Sequence, residues 1–462
     1  MATIAGALAL AAAALGPESV DSVVAAHAET VFLDTLAVTC AAGRADLIRG
    51  MDDGGWWGAS ESGPSTVLSS GRGASPVAAG ALNAACGNID LLGEGSPVRG
   101  HPAIHLVPAV LAAAEHLGSS GPEALAALVA GYEVTVRVGA AMGGMRASLH
   151  SNAGRNTIGV AAAVAYLASS RDAAVIASAI ETAASVTTLA PWALASQGVD
   201  AYHLVSSVGT AEGMLAGSNA ALGWSGPEGM IENHFGPLAS REFGAERAVD
   251  DLDDDGRWTS LRIMANHFKL YPTCSHTHGA IDAAVELHQE GVDAADVLGV
   301  EAVIVSGEEE AIYDRSPRNL FAARYSVPLL VATALVRGEE GVISMEPSIL
   351  EDREIRRIAT ATNVRRDVTL RGTDPTARPA IVRVSLPGGS QREHAVAAPR
   401  GEPENPLESV VMDAKIRVLF ADRYGDAHGA RVEQIVRSWL RGRCDVAEVS
   451  ATLRAARLEL EA

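Results

Sequence analysis

The sequence is poor in basic residues, and lysine is almost absent from it. Its 462 residues include 36 Lys and Arg against 56 Asp and Glu, so the formal net charge is −20. Nucleic-acid binding needs a basic surface that neutralises phosphates, so this acid excess argues against a nucleic-acid partner. The preference for arginine is most simply genomic, but it makes each of the two lysines, Lys269 and Lys415, a position of interest.

Cysteines are few, and uninterrupted apolar runs are short. The four cysteines lie far apart without a C-x-x-C pair, which argues against a zinc ribbon, an iron–sulfur cluster and a disulfide scaffold. A reducing cytoplasm is the simplest compartment for such a chain. No run reaches the roughly 20 apolar residues of a membrane span. Residues 1–16 lack a positive n-region and are predicted to form a packed first helix rather than a signal peptide.

Several motifs that carry nucleotide or acyl chemistry are missing. The sequence contains neither G-x-x-x-x-G-K-[ST] nor a G-x-G-x-x-G loop after a strand, and it has no G-x-S-x-G elbow. Nucleotide-dependent enzymes and α/β-hydrolases are therefore unsupported. The hydrophobic fraction of 48% excludes global disorder and suffices for a large core.

The first half of the chain carries the pattern of a helical domain. Apolar residues at helical spacing predict Ala-rich helices over residues 19–43, 100–117, 122–142, 157–169, 173–188 and 205–222. His27 falls on an apolar helix face and is interpreted as a core or boundary histidine. The acidic run at residues 250–255 is predicted to be a solvated connector between domains.

The second half has a mixed pattern. Residues 297–306 and 367–371 are predicted to be strands, and residues 379–386 and 391–397 a hairpin. Helices are predicted over 281–289 and 326–336, and again over 407–420 and 431–440 beyond a Pro- and Gly-rich loop. These last helices could return to the first domain.

Polar residues just ahead of two apolar helices are the first candidates for chemistry. His101 opens one helix, and His150, Asn152 and Arg155 precede another. Backbone N–H groups at a helix N-terminus favour anions, and a His, Asn and Arg cluster suits carboxylate recognition. His101 could instead only cap its helix, and the second cluster could be an ordinary solvated loop.

The densest polar cluster is the segment at residues 269–278. It contains Lys269, Tyr271, Cys274, His276 and His278. The cluster could be a metal site, but no further carboxylate or ligand pair stands at ligand spacing. It could hold a Cys–His nucleophile, although no family-type motif surrounds Cys274. It could also be structural, or it could be a polar loop that lends Lys and His side chains to an active site between domains.

The ordered set of these segments resembles the MmgE/PrpD family, which includes 2-methylcitrate dehydratases, cis-aconitate decarboxylases and iminodisuccinate epimerases. The matching stretches are residues 32–36, 101–102, 108–111, 130–134, 149–150, 157–159, 269–278 and 401–407, with Lys415. Each stretch is weak alone, but they occur in the family's order from about residue 30 to residue 415.

The resemblance implies a mostly α fold with a smaller α+β domain. The large all-helical domain would be formed by both chain ends, residues 1–262 and 405–462, and an α+β lid domain, residues 263–404, would be inserted. It further implies a cleft between the domains, homodimers, and no required metal or cofactor.

The resemblance also assigns candidate site residues. The family's catalytic His, upstream Asp and second His carry over to His101, Asp90 and His150, and Lys269 is added as a candidate from its polar loop. The predicted substrate-binding residues are Arg155, Asn152, Tyr202, His203, Tyr271, Cys274 and His276.

Three positions depart from the family's pattern. Tyr202 stands where a Lys usually precedes a Leu-His pair, and the neighbouring His203 could keep a cation there. The decarboxylases have a His where this chain has Cys274, although many other members share the Cys, and their Tyr aligns with Leu329. The decarboxylase assignment is therefore weakened.

We expect a cofactor-independent lyase that acts on a small carboxylate or polycarboxylate, most simply a dehydratase that abstracts a proton next to a carboxylate. One alternative is an isomerase or epimerase that uses the same proton abstraction. Another is an inactive family member that serves as a binding protein, a reading motivated by the missing Lys and Tyr. We expect no membrane partner.

Overall fold

The computed structural model describes residues 3–43, 45–53, 55–58, 62–152, 154–305, 310–372 and 376–460. The chain forms two compact units. A helical unit comprises Met1–Pro191, His203–Asn266 and Glu408–Ala462, and a mixed unit comprises Trp192–Tyr202 and His267–Leu407. The structure is 60% helical and 8% strand, which confirms the predicted mostly α class with a smaller α+β part.

The helical unit is built from helices of both chain ends, and most of them match the predicted ranges. Ile4–Ala14 buries Ile4, Leu8 and several alanines, as expected of a packed first helix. The helices of eight or more residues are Ile4–Ala14, Ser22–Ala42, Asp46–Asp53, Pro76–Gly87, Ala103–Leu117, Gly121–Ala141, Arg155–Ala168, Ala173–Val186, His203–Ala221, Ser409–Tyr424, Asp426–Leu440 and Val446–Leu460.

Local chemistry explains where several of these helices begin. Ser120 and Glu123 form a capping box ahead of Gly121–Ala141, in which the Ser120 hydroxyl accepts from the Glu123 N–H and the Glu123 carboxylate accepts from the Ser120 N–H. Asp21 and Asp172 accept from backbone N–H groups at the starts of two other helices. Each cap satisfies donors that have no partner inside the helix.

Glycines let three helices of the helical unit touch backbone to backbone. A Cβ on Gly213 would lie 2.6 Å from the Thr157 carbonyl oxygen, and a Cβ on Gly217 would lie 2.6 Å from that of Ala161. On the other side, a Cβ on Gly131 would lie 2.7 Å from the Gly159 carbonyl oxygen. The helix Arg155–Ala168 is therefore held on two sides by direct backbone contact.

The C-terminal helices are joined to the N-terminal part of the helical unit by a buried ion pair. The Nζ of Lys415 lies 2.7 Å from Asp34 Oδ1, and the Asp34 side chain is fully buried. Burial raises the pKa of Asp34, and Lys415 partly offsets that rise. The same Nζ donates to the Leu92 carbonyl oxygen at 3.4 Å, so Lys415 also contacts the loop ahead of His101.

Two helices, Ser22–Ala42 and Gly121–Ala141, are long and apolar enough to cross a bilayer by length and composition alone. Within the fold, 72% and 94% of their most apolar windows are buried. Core helices of a folded domain have the same properties.

The mixed unit contains a four-stranded sheet. In sheet order its strands are Thr362–Arg366, Gly299–Ile304, Ala380–Ser385 and Gln391–Val396. The first pair is parallel and the other two pairs are antiparallel, so the predicted hairpin at residues 379–397 is confirmed. The helices His278–Gln289, Val327–Ser344 and Arg353–Ala361 contribute to one apolar core with the sheet.

Two local predictions are wrong. Residues 368–371 form a 3-10 turn, and the strand lies just before it, at Thr362–Arg366. The acidic run at residues 250–255 is no connector between the units, because it lies within the helical unit. Asp251 pairs there with the buried Arg137, and the Arg137 guanidinium also donates to the Ser260 carbonyl oxygen.

Candidate functional site

The first predicted histidine, His101, ends a tight loop between the helices Pro76–Gly87 and Ala103–Leu117. Its two preceding residues, Arg99 and Gly100, have positive φ angles of 68° and 77°. A Cβ on Gly100 would lie 2.9 Å from the Ser151 carbonyl oxygen and 2.7 Å from Arg155 Nη2. Glycine is therefore required both by the backbone conformation and by close contact with the loop that carries His150.

His101 is fixed at its backbone and at its ring. Its N–H donates to Asn152 Oδ1 at 2.9 Å, and its Nδ1 lies 2.5 Å from the Glu94 carbonyl oxygen. A carbonyl can only accept, so this contact assigns the proton to Nδ1. In the neutral ring, Nε2 is then the basic nitrogen.

His150 has the opposite arrangement. Its N–H donates to the Ala190 carbonyl oxygen at 2.9 Å, and its Nδ1 accepts from the Asn152 N–H at 3.2 Å. The neutral ring therefore has its proton on Nε2, which makes Nε2 a donor. His150 is only 3% exposed, so its backbone and ring are both held by the surrounding protein.

Asn152 and Arg155 complete this group. Asn152 is fully buried and contacts both histidines through different atoms. The Arg155 guanidinium donates to the Arg99 carbonyl oxygen. Burial lowers the pKa of Arg155 to about 10, and the charge of Arg99 contributes. Within the described residues, no carboxylate forms an ion pair with Arg155, which leaves a buried cation without a counter-ion.

Glu94 is a residue that the sequence analysis missed. It is fully buried, its Oε1 accepts from the Ala103 N–H at 2.8 Å, and its Oε2 accepts from the Tyr132 hydroxyl at 2.9 Å. Burial raises the pKa of Glu94 to about 7, against the hydrogen bonds that favour the carboxylate. A glutamate in a Gly-Glu-Gly stretch just before the His-Pro pair was the available signal.

Asp90 and His203 also belong to the helical unit. Asp90 lies half-buried in the bend after Pro76–Gly87. The Nδ1 of His101 contacts the Glu94 carbonyl oxygen, which orients the ring. His203 is buried and begins the helix His203–Ala221. The structure thus links His101, Asn152 and His150 by hydrogen bonds, and Arg155 donates to the loop two residues before His101. Catalytic roles for Asp90 and His203 stay predictions.

The remaining predicted residues belong to the mixed unit. Lys269 is almost fully buried and its Nζ donates to the Thr273 carbonyl oxygen at 3.1 Å. The Cys274 N–H donates to the Arg324 carbonyl oxygen, and the Cys274 carbonyl accepts from the Thr277 N–H, both at 2.9 Å. His276 lies half-buried in the 3-10 turn Ser275–Thr277. The segment is therefore an ordered loop tied by backbone hydrogen bonds.

Two tyrosines of the mixed unit are held by their neighbours, Tyr271 by polar groups and Tyr202 by an aromatic ring. The Tyr271 hydroxyl donates to Asp282 Oδ1 at 2.8 Å and accepts from Arg400, and burial raises the pKa of Tyr271. Tyr202 packs against Phe321 with ring centroids 5.2 Å apart.

Tyr325 was not singled out from the sequence. Burial raises the pKa of Tyr325, and its hydrogen bond to Tyr202 adds to the rise. It lies four residues before Leu329, the position aligned with the decarboxylase tyrosine, and Leu329 is buried in the apolar core of the mixed unit. Among the described residues, no group of three or more His, Cys, Asp or Glu is arranged to hold a metal ion.

Comparison with protein families assigns the class of this chain. A model of the MmgE/PrpD N-terminal domain matches residues 6–246, and a model of the MmgE/PrpD C-terminal domain matches residues 271–441. The chain therefore belongs to the MmgE/PrpD family, whose members are dehydratases and related lyase-type enzymes. The resemblance seen in the sequence is confirmed. No curated protein matches the chain.

Proposed function

We propose that the protein is a lyase that removes water from a small hydroxy-carboxylate by abstracting the proton next to the carboxylate. The observation that carries this proposal is the pairing of His101 and His150 through Asn152, with their Nδ1 atoms in opposite hydrogen-bonding roles. One ring then offers a basic Nε2 and the other an Nε2–H donor. A proton abstraction that develops negative charge on oxygen needs this combination.

In the proposed reaction, His101 Nε2 takes the proton from the carbon next to the carboxylate. The electrons of that C–H bond form the carbon–carbon double bond, and the C–O bond to the β-hydroxyl breaks. His150 Nε2–H donates a hydrogen bond to the negative charge that develops on oxygen. The leaving hydroxyl takes the proton back from His101 and departs as water, so both rings return to their starting state.

Arg155 supports the carboxylate part of the proposal. Buried charges in proteins are normally paired, and within the described residues this guanidinium has only the Arg99 carbonyl oxygen as its hydrogen-bond partner. A substrate carboxylate would supply the missing counter-ion. Arg99, two residues before His101, is exposed and would meet a second carboxylate of a polycarboxylate.

The test is substitution of each histidine combined with exchange in D₂O. His101→Ala and His150→Ala should each lower kcat by roughly 10²- to 10⁴-fold. The melting temperature should stay near that of the wild type, and the exposed His116 offers a matched control in His116→Ala. Wild-type turnover by both variants would refute the proposed roles.

Deuterium incorporation into a panel of small carboxylic acids distinguishes the reaction types. Exchange with alkene absorbance supports a dehydratase, and exchange with inversion but no alkene points to an isomerase or epimerase. Absence of exchange with every acid, together with measurable binding, would indicate a binding protein instead.

We further propose that the protein works as a cytoplasmic homodimer. Leu204, Val208, Leu215 and Leu222 lie along or just beyond the helix His203–Ala221 and are 37% to 77% exposed. The last three are spaced seven residues apart, so they share one helix face. A second copy of the chain would cover this face, which we call the apolar stripe.

A further inference from the structure

Glu94 contacts both the proposed catalytic base and the first residue of the helix that follows it. Its carbonyl oxygen accepts from His101 Nδ1 at 2.5 Å, and its carboxylate accepts from the Ala103 N–H at 2.8 Å. The N-cap residue of Ala103–Leu117 is Pro102, which makes no side-chain cap. Glu94 therefore acts as the cap of this helix from nine residues away.

The carboxyl group of Glu94 is enclosed by the helical unit. Tyr132 donates to its second oxygen at 2.9 Å. Within the described residues, no Lys or Arg forms an ion pair with it. The titratable groups around it come from four elements. His101 lies on the same loop as Glu94, and Tyr132 lies on Gly121–Ala141. Asp34 and His27 lie on Ser22–Ala42, and Lys415, which pairs with Asp34, lies on Ser409–Tyr424. The Asn266 side chain also lowers the pKa of Glu94, and its Oδ1 lies 2.7 Å from His27 Nε2, which connects His27 to this region.

We propose that Glu94 is a positioning residue for His101: it fixes the ring tautomer and direction through its carbonyl, and its carboxyl group changes protonation without a change of hydrogen-bonding partners. This inference rests on the proposed role of His101. An ionised carboxyl accepts from both Ala103 and Tyr132. A protonated one still accepts from Ala103 and donates its own proton to the Tyr132 oxygen, so the loop geometry is the same in both states.

The carboxyl charge also affects the basicity of His101. The ionised Glu94 carboxyl, which accepts from the Ala103 N–H two residues after His101, favours the imidazolium form of His101. A neutral Glu94 carboxyl does not. Because burial raises the pKa of Glu94 to about 7, both states are populated near neutral pH. The proton affinity of the base is thereby linked to a group that never touches the substrate.

The variant Glu94→Gln copies the protonated state, because its amide can accept from Ala103 and donate to Tyr132. Tyr132→Phe keeps the carboxyl group and removes one donor that favours its ionised form. Glu123→Gln is the matched control, since Glu123 also caps a helix N-terminus but lies on the exposed Ser120 capping box. The full-length chain is labelled with ¹³C and ¹⁵N in its histidines, and His101→Gln assigns the His101 signals.

In the wild type we expect neutral His101 to carry its proton on Nδ1. Its signals should change in two steps with pH, the first from its own ring and the second from the Glu94 carboxyl. Glu94→Gln should keep that tautomer and titrate in a single step at lower pH. Tyr132→Phe should move the second step to higher pH, and Glu123→Gln should match the wild type. His101 titrations of Glu94→Gln and wild type that superimpose would overturn the inference.

If circular dichroism shows that Glu94→Gln does not fold, Tyr132→Phe provides the test. A second titration step of His101 at the same pH as in the wild type would then refute the inference. None of these measurements uses a substrate, so they can succeed even if no acid is turned over and the proposed function fails. Where a substrate is found, Glu94→Gln should lower kcat by about 10- to 100-fold with little change in KM.

Discussion

Acidification should destabilise the helical unit through one histidine, His105. This side chain is fully buried on the helix Ala103–Leu117, and its Nδ1 lies 3.3 Å from Thr210 Oγ1. Burial lowers the pKa of His105 from 6.5 to about 3. On acidification, His105 is therefore protonated in the unfolded chain at a higher pH than in the folded one. The folded state loses stability as the pH falls from 6.5 toward 3.

The magnitude follows from the size of that shift. Each pH unit within the window costs about 1.4 kcal/mol, so a fall from pH 7 to pH 5 should remove about 2 kcal/mol of unfolding free energy. His105→Asn keeps a polar group near Thr210 and removes the titration. The variant should lose about 2 kcal/mol less than the wild type over the same pH change.

Urea unfolding and hydrogen–deuterium exchange of peptides from Ala103–Leu117 measure this difference. His116→Asn is the control, because His116 is exposed on the same helix, and it should behave as the wild type. Equal losses between pH 7 and pH 5 in the wild type and His105→Asn would refute the reasoning.

Glu94 should act in the opposite direction. Its pKa is raised from 4.5 to about 7, so its stabilising contribution is complete below pH 4.5 and is lost as the pH rises toward 7. Between pH 4.5 and 6.5 the two contributions oppose each other. His105→Asn and Glu94→Gln should therefore change the slope of stability against pH with opposite signs.

Three further outcomes are expected. Gly100→Ala should lower the melting temperature and kcat more than Gly118→Ala, because both glycines have positive φ but only Gly100 is crowded by other atoms; equal effects in calorimetry would contradict this. Leu215→Glu in the apolar stripe should convert a particle of about twice the 47.6 kDa chain mass into a monomer by light scattering, and a monomeric wild type would count against the dimer. Dialysis against EDTA should leave activity unchanged, whereas loss reversed by a divalent ion would favour the metal interpretation of the loop at residues 269–278.

Most of the long helices could be predicted from the sequence because their signals are local, whereas Asp46–Asp53, Pro76–Gly87, Arg353–Ala361 and Val446–Leu460 were not predicted. Runs of alanine and larger apolar residues end at Gly, Ser or Pro, and the boundaries agree within a few residues. The strand Thr362–Arg366 was missed because it is mostly polar and exposed. The apolar Val368 and Leu370 drew the prediction to the next turn, although Val368 is 48% exposed.

The site could be predicted only in part. Residue types ahead of two apolar helices identified His101, His150, Asn152 and Arg155. The hydrogen bonds that join the two loops are made by residues of these same two segments. Glu94 could not be identified in that way. Its role depends on a backbone carbonyl and on Tyr132, which lies 38 residues further along the chain.

The backbone contacts around Arg155–Ala168 have a consequence for how this protein can acquire new substrates. At Gly131, Gly213 and Gly217 any added side chain would meet a backbone oxygen, which cannot move aside as a side chain can, in addition to neighbouring side chains. Selection and laboratory evolution therefore cannot shift the helix that begins at Arg155 in small steps. Variation is confined to the loops near its start, so libraries aimed at residues 95–99 and at Leu149 and Ser151 should yield altered specificity. Gly100, His150, Asn152 and the three glycines should remain unchanged in every active variant.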